Sequence, residues 1–318
     1  MANKHHLLAI ALSIAAVLGL TVTACGGSAG PSLRVPENAS PGDLLLEPCT
    51  LKTKAGEYQA ECGSLIVPEN RDRVDSRLIA VPVTRVHASG SDPAEPIFFL
   101  DGGPGESLNM QFKPPATLLA SHDIVMVGYR GADGSSVLDC PEVSEAMKGV
   151  GGNLLSQESR ANLGDARARC ARRLQGAGVD LDGYTVLDVV ADLEAARAGL
   201  DYGRVNLLAR GFGTRIAQLY AYVHPDRVFR AALVGPGIPR HNMIFEPQTI
   251  DAQLEYYARL CAENVACSAR TSDLARTMRN VTRNMPDHWL LFPIDAGKVR
   301  VATFLLLKRS GVVEFAHS

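Results

Sequence analysis

The chain has 318 residues, a formal net charge of −2, 46% hydrophobic residues and 21% charged residues. This balance is ordinary for a globular protein and excludes a disordered or fibrous chain. It supplies no basic excess for neutralising phosphates, so no nucleic-acid partner is expected. The length allows one large domain, or one domain with an insertion.

Residues 1–24 read as a signal peptide rather than as part of the fold. Lys4 gives a positive start, an apolar run follows from Leu7 to Val22, and Thr23-Ala24-Cys25 comes next. The run is shorter than the ~20 residues that a membrane span needs. The small residues before Cys25 resemble a bacterial lipobox, in which the cysteine is lipidated after cleavage. Plain secretion with cleavage nearby is the other reading. The expected location is outside the cytoplasm, on a membrane, held by a lipid on Cys25. Residues 25–48 then form a tether and linker, with Gly26 to Ser32 as its flexible part.

Seven cysteines are present, and setting Cys25 aside leaves Cys49, Cys62, Cys140, Cys170, Cys261 and Cys267. An even number in an exported chain reads as disulfides. Local pairing is expected: Cys49 with Cys62, Cys140 with Cys170, Cys261 with Cys267. Metal binding is the alternative, but no C-x-x-C pair and no H-E-x-x-H is present. No metal or other cofactor is expected.

Along the chain, Arg77 to Val86 predicts a strand, with Ile79, Val81 and Val83 on one face. Pro82 predicts an edge or a bulge there. Ile97 to Leu100 is a short continuous apolar run, as in a strand buried on both faces. Asp101 to Gly105 breaks it. Asp123 to Val127 predicts a second buried strand. Residues 156–175 predict an arginine-rich helix with a solvated face. Thr185 and Asp188 have capping-box spacing, and Val186, Val189, Val190, Leu193 and Leu200 continue as a helical stripe. Val205 to Leu208 predicts a strand, Gly211 to Tyr222 a helix, and Arg230 to Val234 a strand. Strands alternating with helices imply parallel βαβ units and an α/β fold. From Pro236 onward the pattern is helical, at 249–261 and 272–285. The expected division is a core over 49–235 and a lid-like region over 236–318.

Three segments carry a resemblance. Phe98-Phe99-Leu100-Asp101-Gly102-Gly103-Pro104-Gly105 resembles the strand and H-G-G-P-G loop of prolyl and tripeptidyl aminopeptidases, which are serine peptidases of the α/β-hydrolase superfamily. Val127-Gly128-Tyr129-Arg130-Gly131, running on to Ser135 and Cys140-Pro141, resembles that family's D-x-R-G-x-G-x-S stretch and following C-P. Asp192-Leu193-Glu194, Asn206 to Thr214, Tyr220 and His224 to Val228 are similar to its D-L-E helix, nucleophile elbow and following helix. The resemblance covers roughly residues 49–318. It implies a doubly wound, mostly parallel sheet with a helical lid insertion. It also implies release of N-terminal residues from peptides, so peptides or small amino-terminal substrates are the implied partners.

Acyl transfer needs a nucleophile, a base, a carboxylate to orient the base, and donors for the oxyanion. In this fold the nucleophile stands on a tight turn, G-x-S-x-G, and the next residue's N–H is one oxyanion donor. Here the turn reads Ala209-Arg210-Gly211-Phe212-Gly213. Gly211 stands where serine is needed and has no side chain to attack with. Glycine adopts the strained elbow backbone at little cost, so the turn is expected to survive. Phe212 and Gly103 are the oxyanion-donor candidates.

The resemblance also implies an Asp and a His on strands beyond the lid. No such strand follows Pro236, so the chain reads as truncated, with the C-terminal strands missing. His224, His241, His288 and His317 lack the expected context for a base. Asp101 replaces the loop histidine and reads as a residue that caps or bends the loop. Ser107, Ser135 and Ser136 read as turn formers rather than substitute nucleophiles. Glu246 and Glu255 fall where family lids hold a substrate amino group, although surface solvation explains them as well. The expected protein is an anchored pseudoenzyme. The alternatives are a non-catalytic peptide-binding lipoprotein and a hydrolase acting by another route. An unpaired apolar strand at Arg230 to Val234 invites a partner chain that completes the sheet.

Overall fold

Period-two apolar runs set the first half of the chain into strands. The structure, a computed structural model, describes residues 33–53, 56–102, 116–148, 156–237 and 247–307. The expected signal peptide, Cys25, Gly103 and Ser107 lie outside these residues, as do His241, Glu246 and His317. Strands β1 (Leu44–Thr53), β2 (Gly56–Pro68), β3 (Leu78–Val86) and β4 (Ala94–Leu100) come first. Then come α1 (Ala116–Leu119), β5 (His122–Val127), β6 (Arg130–Gly131) and β7 (Asp133–Val137). Helices α2 (Pro141–Lys148), α3 (Gln157–Gly176) and α4 (Val186–Gly199) lead to β8 (Val205–Arg210). Helix α5 (Gly213–Val223) and β9 (Val228–Val234) follow. Beyond them lie α6 (Pro247–Glu263), α7 (Val265–Ser268), α8 (Leu274–Arg283), β10 (His288–Trp289), β11 (Phe292–Pro293) and α9 (Ala296–Leu307).

Seven strands form one sheet in the order β1-β2-β3-β5-β4-β8-β9. The β1, β2, β3 and β5 pairings are antiparallel, while β4 pairs β5 and β8 in parallel, as β8 does β9. Parallel neighbours need helical crossovers, and these cover the sheet. The larger core lies on one face, where Leu65, Val81, Phe98, Leu100, Val125 and Leu207 pack with Val190 and Leu193 of α4 and Ile216 and Tyr220 of α5. A smaller cluster, Leu51, Ala60, Val86, Ile97, Ile124 and Met126, covers the other face with Leu118 and Leu119. The apolar runs at 97–100 and 123–127 therefore sit between two cores, as strands buried on both faces do.

Two local expectations need correction. β1 begins at Leu44, inside the segment read as linker, because Leu44 to Leu51 pair residue by residue with Tyr58 to Leu65. Pro82 lies at neither an edge nor a bulge. β3 has neighbours on both sides, and Gly128 donates its N–H to the Pro82 carbonyl at 2.8 Å. The missing donor faces the end of β5, where the paired register stops at Val83 and Val127. A Cβ on Gly128 would stand 2.4 Å from the proline ring, which explains the glycine.

Helix signals read as expected. Ser156 caps α3 by accepting from the Ser159 N–H at 3.1 Å. Its Ser159, Ala166, Cys170 and Leu174 are buried, while Arg160, Arg167, Arg169, Arg172 and Arg173 are exposed. Thr185 and Asp188 form a reciprocal capping box on α4. Three disulfides form with the local pairing, Cys49–Cys62, Cys140–Cys170 and Cys261–Cys267. They join β1 to β2, the start of α2 to α3, and α6 to α7.

Candidate functional site at the turn after β8

β4 and β8 run side by side in parallel, with Leu100 opposite Ala209. The next residues along, Asp101 and Arg210, therefore leave the sheet side by side. Arg210 Nε donates to Asp101 Oδ1 at 2.8 Å, and Arg210 Nη2 pairs with Asp101 Oδ2. The Asp101 side chain is only 5% exposed, whereas that of Arg210 is 53% exposed. The hydrogen bonds to Asp101 raise the Arg210 guanidinium above its usual value. Asp101 is thus a side-chain ion-pair partner rather than a loop cap.

Gly211 follows with φ +56°. This is left-handed backbone, which glycine adopts readily. Among the described residues, a Cβ added there would meet the Gly102 carbonyl oxygen at 3.5 Å, an ordinary contact. The turn has left-handed elbow backbone and, among the described residues, space for a Cβ, but glycine brings no side chain. Gly213 is glycine for a different reason: a Cβ there would fall 2.2 Å from the Leu100 carbonyl oxygen. Close approach of α5 to β4 requires its absence. Thr214 fixes the first turn of α5. Its hydroxyl donates to the Gly211 carbonyl at 2.7 Å and accepts from the Gly237 N–H at 3.1 Å.

The Phe212 N–H donates to the Gly102 carbonyl at 3.1 Å. The donor expected to face an oxyanion is spent on the β4 loop. Tyr129 adds a further tie, donating its hydroxyl to the Asp101 carbonyl at 3.1 Å. Its ring meets Phe212 edge-on, with centroids 6.2 Å apart. Burial, then Asp101 and Asp133, push the Tyr129 phenol well above its ordinary value, so the hydroxyl stays a donor.

The other motif residues come together away from this turn. Arg130 and Asp192 are fully buried partners, at 0% and 1% side-chain exposure. Arg130 Nε and Nη2 each donate to Asp192 at 2.7 Å. Arg130 Nη1 donates to the Glu69 and Gly183 carbonyls at 2.7 Å. Arg71 reaches the same aspartate at 2.5 Å. Glu69 is held by Arg77 at 2.7 and 2.5 Å, by the Tyr184 hydroxyl at 2.5 Å and by the Asp180 N–H at 3.0 Å. Burial alone would raise the Glu69 carboxyl, but these donors outweigh it and hold it below the usual range. Burial, then Glu69, pushes the Tyr184 phenol up to about 12. Glu194 accepts from Tyr220 at 2.7 Å and pairs with Arg197. These are packing contacts with every polar group matched.

The remaining candidates disperse. The Ser135 hydroxyl accepts from the Ala80 N–H at 2.8 Å. Ser136 bonds Tyr184 and Arg77. His224 ends α5, against Tyr220 with ring centroids 5.2 Å apart, at the far end of the helix from Gly211. His288 sits in the short β10. Glu255 pairs with Arg279 at 2.8 Å on the surface. Arg210 went unremarked in the sequence. The signal that finds it is an opposite charge one residue past each of two neighbouring strands.

A central sheet whose β5-β4-β8-β9 half is parallel, flanked by helices and with a tight left-handed turn between β8 and α5, is the α/β-hydrolase architecture. The alpha/beta hydrolase fold family model matches residues 95–283, more than half of the chain, and the chain belongs to that family. Among curated proteins, Serine protease Hip1 of Mycobacterium tuberculosis is 28% identical over 232 residues, covering 65% of this chain and 42% of that protein. Tripeptidyl aminopeptidase of Streptomyces lividans is 22% identical over 253 residues, covering 75% of this chain and 46% of that protein. The chain therefore spans less than half the length of these relatives. An alpha/beta hydrolase crystal structure from Novosphingobium aromaticivorans matches at 17% identity and TM-score 0.36, over 76% of this chain and 70% of that one. No helix among the described residues is long and apolar enough to cross a membrane.

Proposed function

We propose that this chain is an exported, lipid-anchored relative of serine aminopeptidases that does not hydrolyse peptides at its elbow. The observation that carries the reading is Gly211, at φ +56° with no side chain where a nucleophile belongs. Loss of a triad serine costs on the order of a million-fold in turnover in subtilisin. The apolar run before Cys25 and three disulfides support export. The same reading assigns residues 49–235 to a hydrolase core and 236–318 to a helical lid. Among the described residues, the outer edge of β9 has no strand beside it, which supports a partner strand there.

Incubation of the full chain with a panel of aminoacyl and tripeptidyl anilides tests the reading. Product release should match the buffer control. Release above buffer that is abolished by heat denaturation would overturn it.

A further inference from the structure

A turn without its nucleophile would still offer an N–H donor and, here, a guanidinium. In this chain both are already engaged. Phe212 N–H points at the Gly102 carbonyl, and Arg210 holds the Asp101 carboxylate. Asp101 and Gly102 are consecutive, so one short segment after β4 meets both donors together. Tyr129 fixes that segment from below through the Asp101 carbonyl. Register explains why the contact is available, since Asp101 and Arg210 follow directly from the Leu100–Ala209 pair.

We propose that the elbow of this chain is a carboxylate-binding site occupied in cis by its own Asp101, with the Gly102 carbonyl closing the adjacent N–H donor. The inference rests on the non-hydrolytic reading above and adds what fills the site. The ligand class is a monocarboxylate, because Nε and Nη2 of one arginine present two parallel donors of the kind a carboxylate matches. Asp101 takes the Nε and Nη2 donors of Arg210, so an external carboxylate must displace it to reach that pair. Removing the Asp101 carboxylate leaves Arg210 charged and half exposed, and loosens the segment that covers the Phe212 N–H.

Amide hydrogen exchange and amide chemical shifts on the full chain, with acetate as the probe, test the proposal. In the unmodified chain the Phe212 amide should exchange slowly and ignore acetate. In Asp101→Ala it should exchange about tenfold faster, the size expected for one lost hydrogen bond. Acetate should then shift it saturably, and Arg210→Ala added to Asp101→Ala should abolish that response. The Gly211 amide, bonded to the Val234 carbonyl at 3.2 Å, should stay protected throughout and report that the turn is folded. If Asp101→Ala does not fold, Asp101→Asn keeps the side-chain shape and should show the same acetate response. An unprotected Phe212 amide in the unmodified chain would overturn the proposal. So would acetate shifts equal in the unmodified and variant proteins, or no acetate response in a folded variant. Anilide turnover by the unmodified chain would instead sink the non-hydrolytic reading, whatever the amide data show.

Discussion

Two arginine–aspartate pairs stand in different surroundings in this molecule. Arg130 and Asp192 are sealed inside, and every neighbouring carbonyl and carboxylate has a donor. Arg210 and Asp101 sit at the rim of the sheet, with the arginine half exposed. The inner pair is built from residues that carry the sequence resemblance to serine aminopeptidases. The outer pair includes Asp101 and adjoins Gly211, the two positions on which the proposed non-hydrolytic reading rests. Arg130, Asp192 and Glu194 are engaged in packing contacts with matched partners.

The contrast breaks most directly at the inner pair. Arg130→Ala strands a buried carboxylate and should cost about 3–5 kcal/mol in denaturant unfolding, or prevent folding. A loss under ~1 kcal/mol, the range of exposed pairs, would erase the distinction between the two regions. Opening the Cys140–Cys170 bridge, whose cysteines are 30 residues apart, should cost about 2–4 kcal/mol. Melting of Cys140→Ser/Cys170→Ser against the parent measures it. Gly213→Ala drives a methyl into the Leu100 carbonyl and should cost about 1–3 kcal/mol. Gly211→Ser meets no such obstacle among the described residues, and its penalty should be the ~1 kcal/mol of left-handed backbone. Equal losses at the two glycines would contradict the view that one is kept for space and the other is a vacated position.

Acidification sharpens the same comparison. The folded-state carboxyls of Glu69, Glu61 and Glu194 are lowered from 4.5, because their arginine partners outweigh burial. Their contribution is fully present above the unfolded value and is lost as pH falls through the lower folded values. Stability should therefore fall below about pH 4.5. Glu69→Gln should flatten that fall in a series of melts from pH 6 to 3, at the cost of a lower starting stability. An unchanged pH slope would remove Glu69 from the account.

Much of the fold was legible because its signals are local. The 97–100 and 124–127 runs are continuous and apolar, Thr185 and Asp188 have capping spacing, and the disulfide partners are near in sequence. Gly211 was legible as a missing side chain, and its backbone needed only glycine's freedom. The start of β1 was hidden because Leu44 to Pro48 is irregular until β2 pairs with it. Pro82 misled because its missing donor is harmless only where β5 ends. The Asp101–Arg210 pair and the Phe212–Gly102 hydrogen bond depend on the β4–β8 register, which joins residues more than a hundred positions apart.

The central claim is that no serine in this chain is an activated nucleophile. Treating the purified full chain with a fluorophosphonate probe and mapping adducts by peptide mass spectrometry tests it most directly. The account predicts no serine labelled above a heat-denatured control. A stoichiometric adduct on any serine of the folded protein would contradict it.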